Sequence, residues 1–271
     1  MYSINRANDF IKANYKSVND KFRPKYHMTA PIGWINDPNG FCFFNGQYHM
    51  FCQYYPYEAI WGPMHWGHWV SKDCVKWQWQ GVALAPDSPF DDMGCFSGTA
   101  IALENELSLI YTGVHKNKDG IVVQEQCIAK SEDGINFVKF KGNPVISSDM
   151  LPEGFSIVDF RDPKISKSGD TYRVLVAGTK DNVGKILRYK STDLTNWDFD
   201  GIFIDGVSTM PECPDYFHIQ DSDIFVTCLM NQEYEELKYQ NDHHAVVYYE
   251  GKEKDGVFVS NGHRSIDLGQ D

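Results

Sequence analysis

No uninterrupted apolar stretch in the 271-residue chain approaches 18 residues, which excludes a membrane-spanning helix. Basic residues are scarce. Twenty-five Lys and Arg stand against 37 Asp and Glu, a formal charge of −12, so neither nucleic acid nor an anionic membrane is an expected partner. The seven cysteines (Cys42, Cys52, Cys74, Cys95, Cys127, Cys213 and Cys228) include no C-x-x-C pair. Their odd number fits buried free thiols in a reducing cytoplasm better than a disulfide framework. The first residues carry no apolar segment and no small-residue cleavage site, so a secretory signal is not expected. No proline- or serine-rich linker marks a second domain.

What is abundant is aromatic: 7 Trp, 15 Tyr and 17 Phe, 14% of the chain. That suits strands and sugar-stacking surfaces. Ile4, Ala7, Ile11, Tyr15, Val18 and Phe22 recur every three or four residues and predict an amphipathic helix that packs on the body of the protein. After Pro31 the pattern turns to short strands. Asn45-Gly46 predicts a tight hairpin. Glu104-Asn105-Glu106, Lys167-Ser168-Gly169-Asp170 and Gln220-Asp221-Ser222 predict its counterparts further on.

A second feature recurs in register. Ser71-Lys72-Asp73 precedes Trp77, Ser131-Glu132-Asp133 precedes Phe137, and Ser191-Thr192-Asp193 precedes Trp197, each 60 residues after the last. Ser and Asp side chains hold turn backbones. A further step of 60 reaches Gly251, between two more apolar runs. Four-stranded units repeated in this way predict an all-β chain of β-propeller type. A β-sandwich explains no such register.

Three clusters stand just ahead of the predicted first strands of their units: Trp34-Ile35-Asn36-Asp37-Pro38-Asn39-Gly40, Phe160-Arg161-Asp162-Pro163 and Pro211-Glu212-Cys213-Pro214. Cys95-Phe96-Ser97-Gly98-Thr99 holds the same place in the second unit. In a propeller these positions surround one axis, so Asp37, Asp162 and Glu212 are expected together. Cleaving a glycosidic bond needs one ionised and one protonated carboxyl group. Crowded acids supply the second, because repulsion raises one pKa. Arg161 is expected to keep Asp162 ionised. Singly, each cluster is an ordinary turn former or ion pair; their shared placement points to a site.

These residues carry a resemblance. W-I-N-D-P-N-G, F-C-Q-Y-Y-P, W-G-P-M-H-W-G-H-W-V-S-K-D, F-S-G-T-A, R-D-P-K and E-C-P-D, in this order from about Lys25 onward, resemble the invertase family, glycoside hydrolase family 32. Within it, the intracellular bacterial sucrose-6-phosphate hydrolases look most similar. The resemblance implies a five-bladed propeller with a retaining β-fructofuranosidase site: Asp37 the nucleophile, Glu212 the acid/base, Asp162 the transition-state stabiliser. It places Asn36, Gln53, Trp61, Phe96, Ser97 and Arg161 around the fructose and implies no metal or other cofactor. Retention requires the nucleophile and acid/base carboxyl groups about 5–5.5 Å apart. Cys213 would tune its neighbour Glu212. His65, His68 and the pair His243-His244 are read as structural or surface residues.

At one period per 60 residues the chain holds four units and the start of a fifth. The expected organisation is a helical extension over 1–24 and an incomplete propeller over 25–271. Family members continue with D-F-Y-A, a fifth blade and a C-terminal β-sandwich. A complementing C-terminal fragment or a second copy of the chain is therefore an expected partner, beside a fructoside: sucrose, sucrose 6-phosphate or a fructan. A phosphorylated substrate would need a basic cluster near the site. An arabinanase-type hydrolase conflicts with the W-I-N-D-P-N-G segment. The alternative is a truncated, inactive or complementation-dependent fragment that at most binds sugar: three intact carboxylates argue against loss of the site by substitution, and the missing C-terminal part argues for its loss by deletion.

Overall fold

The computed structural model describes residues 2–230 and 245–266. Among the described residues there are one α-helix and sixteen strands, arranged as four antiparallel four-stranded sheets. Each sheet runs in sequence order, as a propeller blade does. The first contains β1 (Trp34–Phe44), β2 (Gln47–Tyr55), β3 (His65–Ser71) and β4 (Trp77–Leu84). The second contains β5 (Gly94–Ala102), β6 (Leu107–Lys116), β7 (Val122–Ser131) and the two-residue β8 (Val138–Lys139). The third contains β9 (Phe155–Ser168), β10 (Thr171–Lys180), β11 (Val183–Ser191) and β12 (Asp198–Asp205). The fourth contains β13 (Met210–Ile219), β14 (Ser222–Met230), β15 (Ala245–Lys254) and β16 (Val257–Ser265). Two compact units result, Met1–Pro144 with the first two sheets and Val145–Asp271 with the last two. The His243-His244 pair lies outside the described residues.

The 60-residue repeat is a repeated turn. Ser71 Oγ accepts a hydrogen bond from the amide of Cys74, and Asp73 Oδ1 accepts from the amides of Val75 and Lys76. Ser131 and Asp133 serve Gly134, Ile135 and Asn136 in the same way. Ser191 and Asp193 serve Leu194, Thr195 and Asn196. In each turn the residue after the Asp is left-handed: Cys74 at φ 58°, Gly134 at 76° and Leu194 at 70°. The amides hold all three carboxyl groups below the usual range. The fourth sheet uses a tighter solution, with Asp255 and Gly256 both at positive φ between β15 and β16, the geometry of a two-residue hairpin.

The predicted N-terminal helix forms over Ile4–Asn14 (α1) and stops short of the full apolar repeat. Ala7 and Ile11 are buried with Tyr54 and Val82, whereas Tyr15 and Phe22 lie on two short 3-10 turns and are exposed. The periodicity continues for two turns beyond the surface that α1 covers. None of the seven cysteines is in a disulfide, but not all are buried: Cys74 is exposed because it occupies the left-handed corner of the first turn. Among the described residues no helix is long and apolar enough to cross a membrane.

In the first unit, Phe44, Phe51, Trp66 and Leu84 of one sheet pack against Leu107, Leu109, Tyr111 and Phe137 of the next. The second unit has its own core, including Leu175, Ile186, Phe203, Phe225 and Phe258.

The first core also holds buried histidines. His49 Nε2 lies 3.2 Å from the Phe44 carbonyl and its Nδ1 lies 3.0 Å from His68 Nε2. A carbonyl can only accept, so His49 donates from Nε2 and accepts at Nδ1, and His68 must be the donor. This arrangement needs a neutral His49. Burial pushes His68 down to about 3 and His65 down to about 4. In the unfolded chain both take up protons near pH 6.5. The folded state is therefore penalised as pH falls from 6.5 toward 4, by about 2 kcal/mol per histidine at pH 5. Urea midpoints followed by tryptophan emission should fall between pH 7 and pH 5. Six of the seven tryptophans lie in the first unit, so this signal reports it. A midpoint constant over that window would contradict the assignment.

Candidate active site

The four clusters lie inside the first strands, not ahead of them as the sequence suggests, and each sits on a β-bulge. Between Ile35 and Pro38, β1 advances three residues where β2 advances two, which makes room for Asn36 and Asp37. Ser97 is the extra residue in β5. Asp162-Pro163 and Cys213-Pro214 occupy the corresponding irregularities of β9 and β13. A bulge breaks the in-out alternation and re-aims a side chain. Asp162 (φ 63°) and Cys213 (φ 48°) adopt left-handed backbone there, a strained choice for side-chain-bearing residues. Next to Ser97, a Cβ on Gly98 would stand 2.1 Å from the Ile110 carbonyl oxygen, so only glycine fits.

In the first unit the structure gathers Asn36, Asp37, Gln53 and Ser97. Ser97 Oγ donates to Asp37 Oδ2 at 2.5 Å, and Gln53 Nε2 donates to the same oxygen at 3.2 Å and also to Ser97 Oγ. Asn36 Nδ2 donates to Asp37 Oδ1 at 3.2 Å, while its own Oδ1 accepts from the Trp34 indole at 2.9 Å. These donors hold Asp37 in one orientation. Cys52, buried close by, is pushed up to about 12, first by burial and then by the charge of Asp37. Trp61 is 55% exposed and meets Phe96 edge-on, ring centres 5.9 Å apart. The two rings stand beside the polar cradle as an apolar wall.

In the second unit the structure gathers Arg161, Asp162 and Glu212. Arg161 donates to Glu212 Oε1 through Nε (3.1 Å) and Nη2 (2.9 Å), and its Nη1 lies 3.4 Å from Asp159 Oδ1. The guanidinium thus serves Glu212 as well as Asp162, which broadens the role expected for it. Burial alone would lower the pKa of Arg161; the charges of Asp162 and Glu212 more than offset that and raise it. Asp162 is buried, and its Oδ2 accepts from the Cys213 amide at 2.9 Å with the Cys213 thiol 3.7 Å away. The two strained bulges therefore brace each other: Cys213 turns its N–H to Asp162 because β13 is kinked at that residue.

The sequence pattern of the glycosyl hydrolase family 32 N-terminal domain matches residues 27–271. The chain belongs to glycosyl hydrolase family 32. Its relatives include an Escherichia coli sucrose-6-phosphate hydrolase, 38% identical over 99% of this chain and 57% of its own length. An Escherichia coli raffinose invertase is 43% identical over 72% of this chain and 41% of its own length. The solved structure of a Bombyx mori family 32 β-fructofuranosidase mutant in complex with sucrose superposes with a TM-score of 0.90. It is 35% identical and covers 99% of this chain and 57% of that one. The chain thus spans about half the length of the relatives it matches.

For this family 32 chain the sequence reading missed the supporting residues. Thr112 donates to Gln126 at 2.9 Å and to the Ser97 carbonyl at 3.3 Å, holding the second bulge from behind. Thr227 Oγ1 donates to the Glu212 carbonyl at 2.7 Å. Asp159 stands two residues before Arg161 in β9. The period of two in a strand was the available signal for Asp159; Thr112 and Thr227 come from neighbouring strands and carry none.

Proposed function

We propose that the protein is a retaining β-fructofuranosidase of the sucrose or sucrose 6-phosphate type, working in a reducing cytoplasm. Asp37 attacks C2 of the fructosyl unit and forms an ester to it. Glu212 gives its proton to the glycosidic oxygen as the C2–O bond breaks. Glu212, now a carboxylate, takes a proton from water, and the resulting attack at C2 frees fructose and restores Asp37. Asp162 accepts hydrogen bonds from fructose hydroxyls. Both hydrogen bonds that Arg161 makes to Glu212 go to Oε1, so Oε2 is the oxygen that handles the proton. Trp61 and Phe96 bound the sugar, and Asn36, Gln53 and Ser97 fix the nucleophile. Seven cysteines, none in a disulfide, support the reducing compartment.

The observation that supports this reading is that Asp37, Asp162 and Glu212 stand at or beside β-bulges in the first strands of their sheets, in a family 32 chain. The test is to incubate the protein with sucrose, sucrose 6-phosphate, a fructan and an arabinoside, and follow the first fructose released by NMR. Release of the β anomer first, from fructosides alone, is expected. Release of the α anomer first, or cleavage of the arabinoside in preference, would overturn the mechanism or the substrate class respectively.

A further inference from the structure

Helix α1 presents two adjoining stripes. Ala7 and Ile11 anchor it on Tyr54 and Val82. Arg6 and Phe10, spaced by four, form the other, and together with Tyr2, which stands just ahead of the N-cap Ser3, they converge on Tyr57. The ring of Phe10 lies 5.0 Å from that of Tyr57, the ring of Tyr2 lies 5.6 Å from it, and the Arg6 guanidinium carbon is 5.6 Å from its centre. Tyr57 belongs to the segment 56–64 that joins β2 to β3. Below it lie Tyr55 at 5.5 Å and His65 at 5.8 Å, both edge-on.

The same segment carries Trp61. Directly after Trp61 the backbone presses on Tyr55: a Cβ on Gly62 would stand 2.7 Å from the Tyr55 ring. Trp61 is thus suspended between two fixed points, Tyr57 under the helix and Gly62 on Tyr55. From there its ring reaches out to Phe96, the neighbour of Ser97.

We propose that α1 is a brace for the sugar-binding wall, with Tyr2, Arg6 and Phe10 acting as positioning residues that set the place of Trp61 through Tyr57. This rests on the reading of Trp61 as a wall of the fructoside pocket. A helix that only closes the hydrophobic core would affect stability and leave substrate affinity alone.

The experiment compares Phe10→Ala, Arg6→Ala and Trp61→Ala, with Lys12→Ala on the exposed face of α1 as a control, at temperatures well below each melting midpoint. Phe10→Ala and Arg6→Ala should raise KM for sucrose about five- to tenfold with kcat within about twofold, and Lys12→Ala should change neither. Trp61→Ala should raise KM at least as much. The Phe10→Ala/Trp61→Ala double variant should show no further rise, because both act through one wall. If Trp61→Ala raises KM and the helix variants do not, or if the effects multiply, the brace is wrong and the pocket stands. If Trp61→Ala leaves KM unchanged, the pocket reading is what fails. Should Phe10→Ala not fold, Phe10→Leu takes its place. Amide exchange gives a readout independent of turnover: segment 56–64 should exchange faster in Arg6→Ala while β3 stays protected. Unchanged exchange in 56–64 would overturn the brace.

Discussion

Replacing Asp37 by alanine is expected to lower kcat on sucrose by at least about 10⁴-fold, since the proposed mechanism leaves no other group to form its covalent intermediate. Binding should survive, because Gln53, Ser97, Trp61 and Phe96 are untouched. Asparagine should not rescue the loss, although it has nearly the same shape. Ser97 and Gln53 both donate to Oδ2, and Asn36 donates to Oδ1. Each carboxylate oxygen thus faces a side-chain N–H, from Gln53 on one side and Asn36 on the other, and an amide can offer only one acceptor atom. Whichever way the substituted amide turned, its NH₂ group would face an N–H or O–H. Asp37→Asn should therefore be as inactive as Asp37→Ala and also less stable. The assays are fructose release and a thermal melt. Turnover by Asp37→Ala within tenfold of the parent would remove Asp37 from the nucleophile role.

How much of this was open to sequence reasoning follows from how local each feature is. The S-x-D turns could be read because one serine and one aspartate hold the next three amides within five residues, so the repeat is written in the chain itself. Asn45-Gly46 could be read for the same reason, as both take the positive φ that the β1–β2 turn needs. The clusters at Asp37, Ser97, Asp162 and Cys213 were recognised as residues but misplaced as structure. A bulge breaks the alternation that marks a strand, and prolines at 38, 163 and 214 looked like strand boundaries. Proline tolerates such a position because the bulge removes the demand for a ladder hydrogen bond. The partners that hold the site lie one or two strands away, as with Thr112 behind Ser97 and Thr227 behind Glu212. Only the register of the sheet decides which residues those are. The division after Pro144 left no trace, because the two units are joined without a distinctive linker.

Glu212→Ala should produce a loss of a different kind. General acid and base catalysis is worth about 10²–10⁴-fold, and all of it should be lost on sucrose, whose leaving group needs a proton. An activated aryl fructoside leaves without one, so its first step should be nearly normal and an ester to Asp37 should accumulate. Azide, which needs no general base, can then attack that ester and restore turnover. The stereochemistry of the azide product separates the two carboxylates. In Glu212→Ala two displacements occur at C2, one by Asp37 and one by azide, so the product is the β-fructosyl azide. In Asp37→Ala azide can take the place of the missing carboxylate directly, a single displacement that gives the α product. NMR of the two products distinguishes them. The Arg161 contact supplies the competing outcome: losing its two hydrogen bonds to Oε1 would take one anionic partner from a half-buried cation in Glu212→Ala. If Glu212 served only to hold Arg161 in place, sucrose and the aryl fructoside would lose equally and azide would restore neither. Glu212→Gln keeps an oxygen for Arg161 and loses the exchangeable proton, so under the acid/base assignment it should behave like Glu212→Ala, and under the positioning assignment it should behave like the parent.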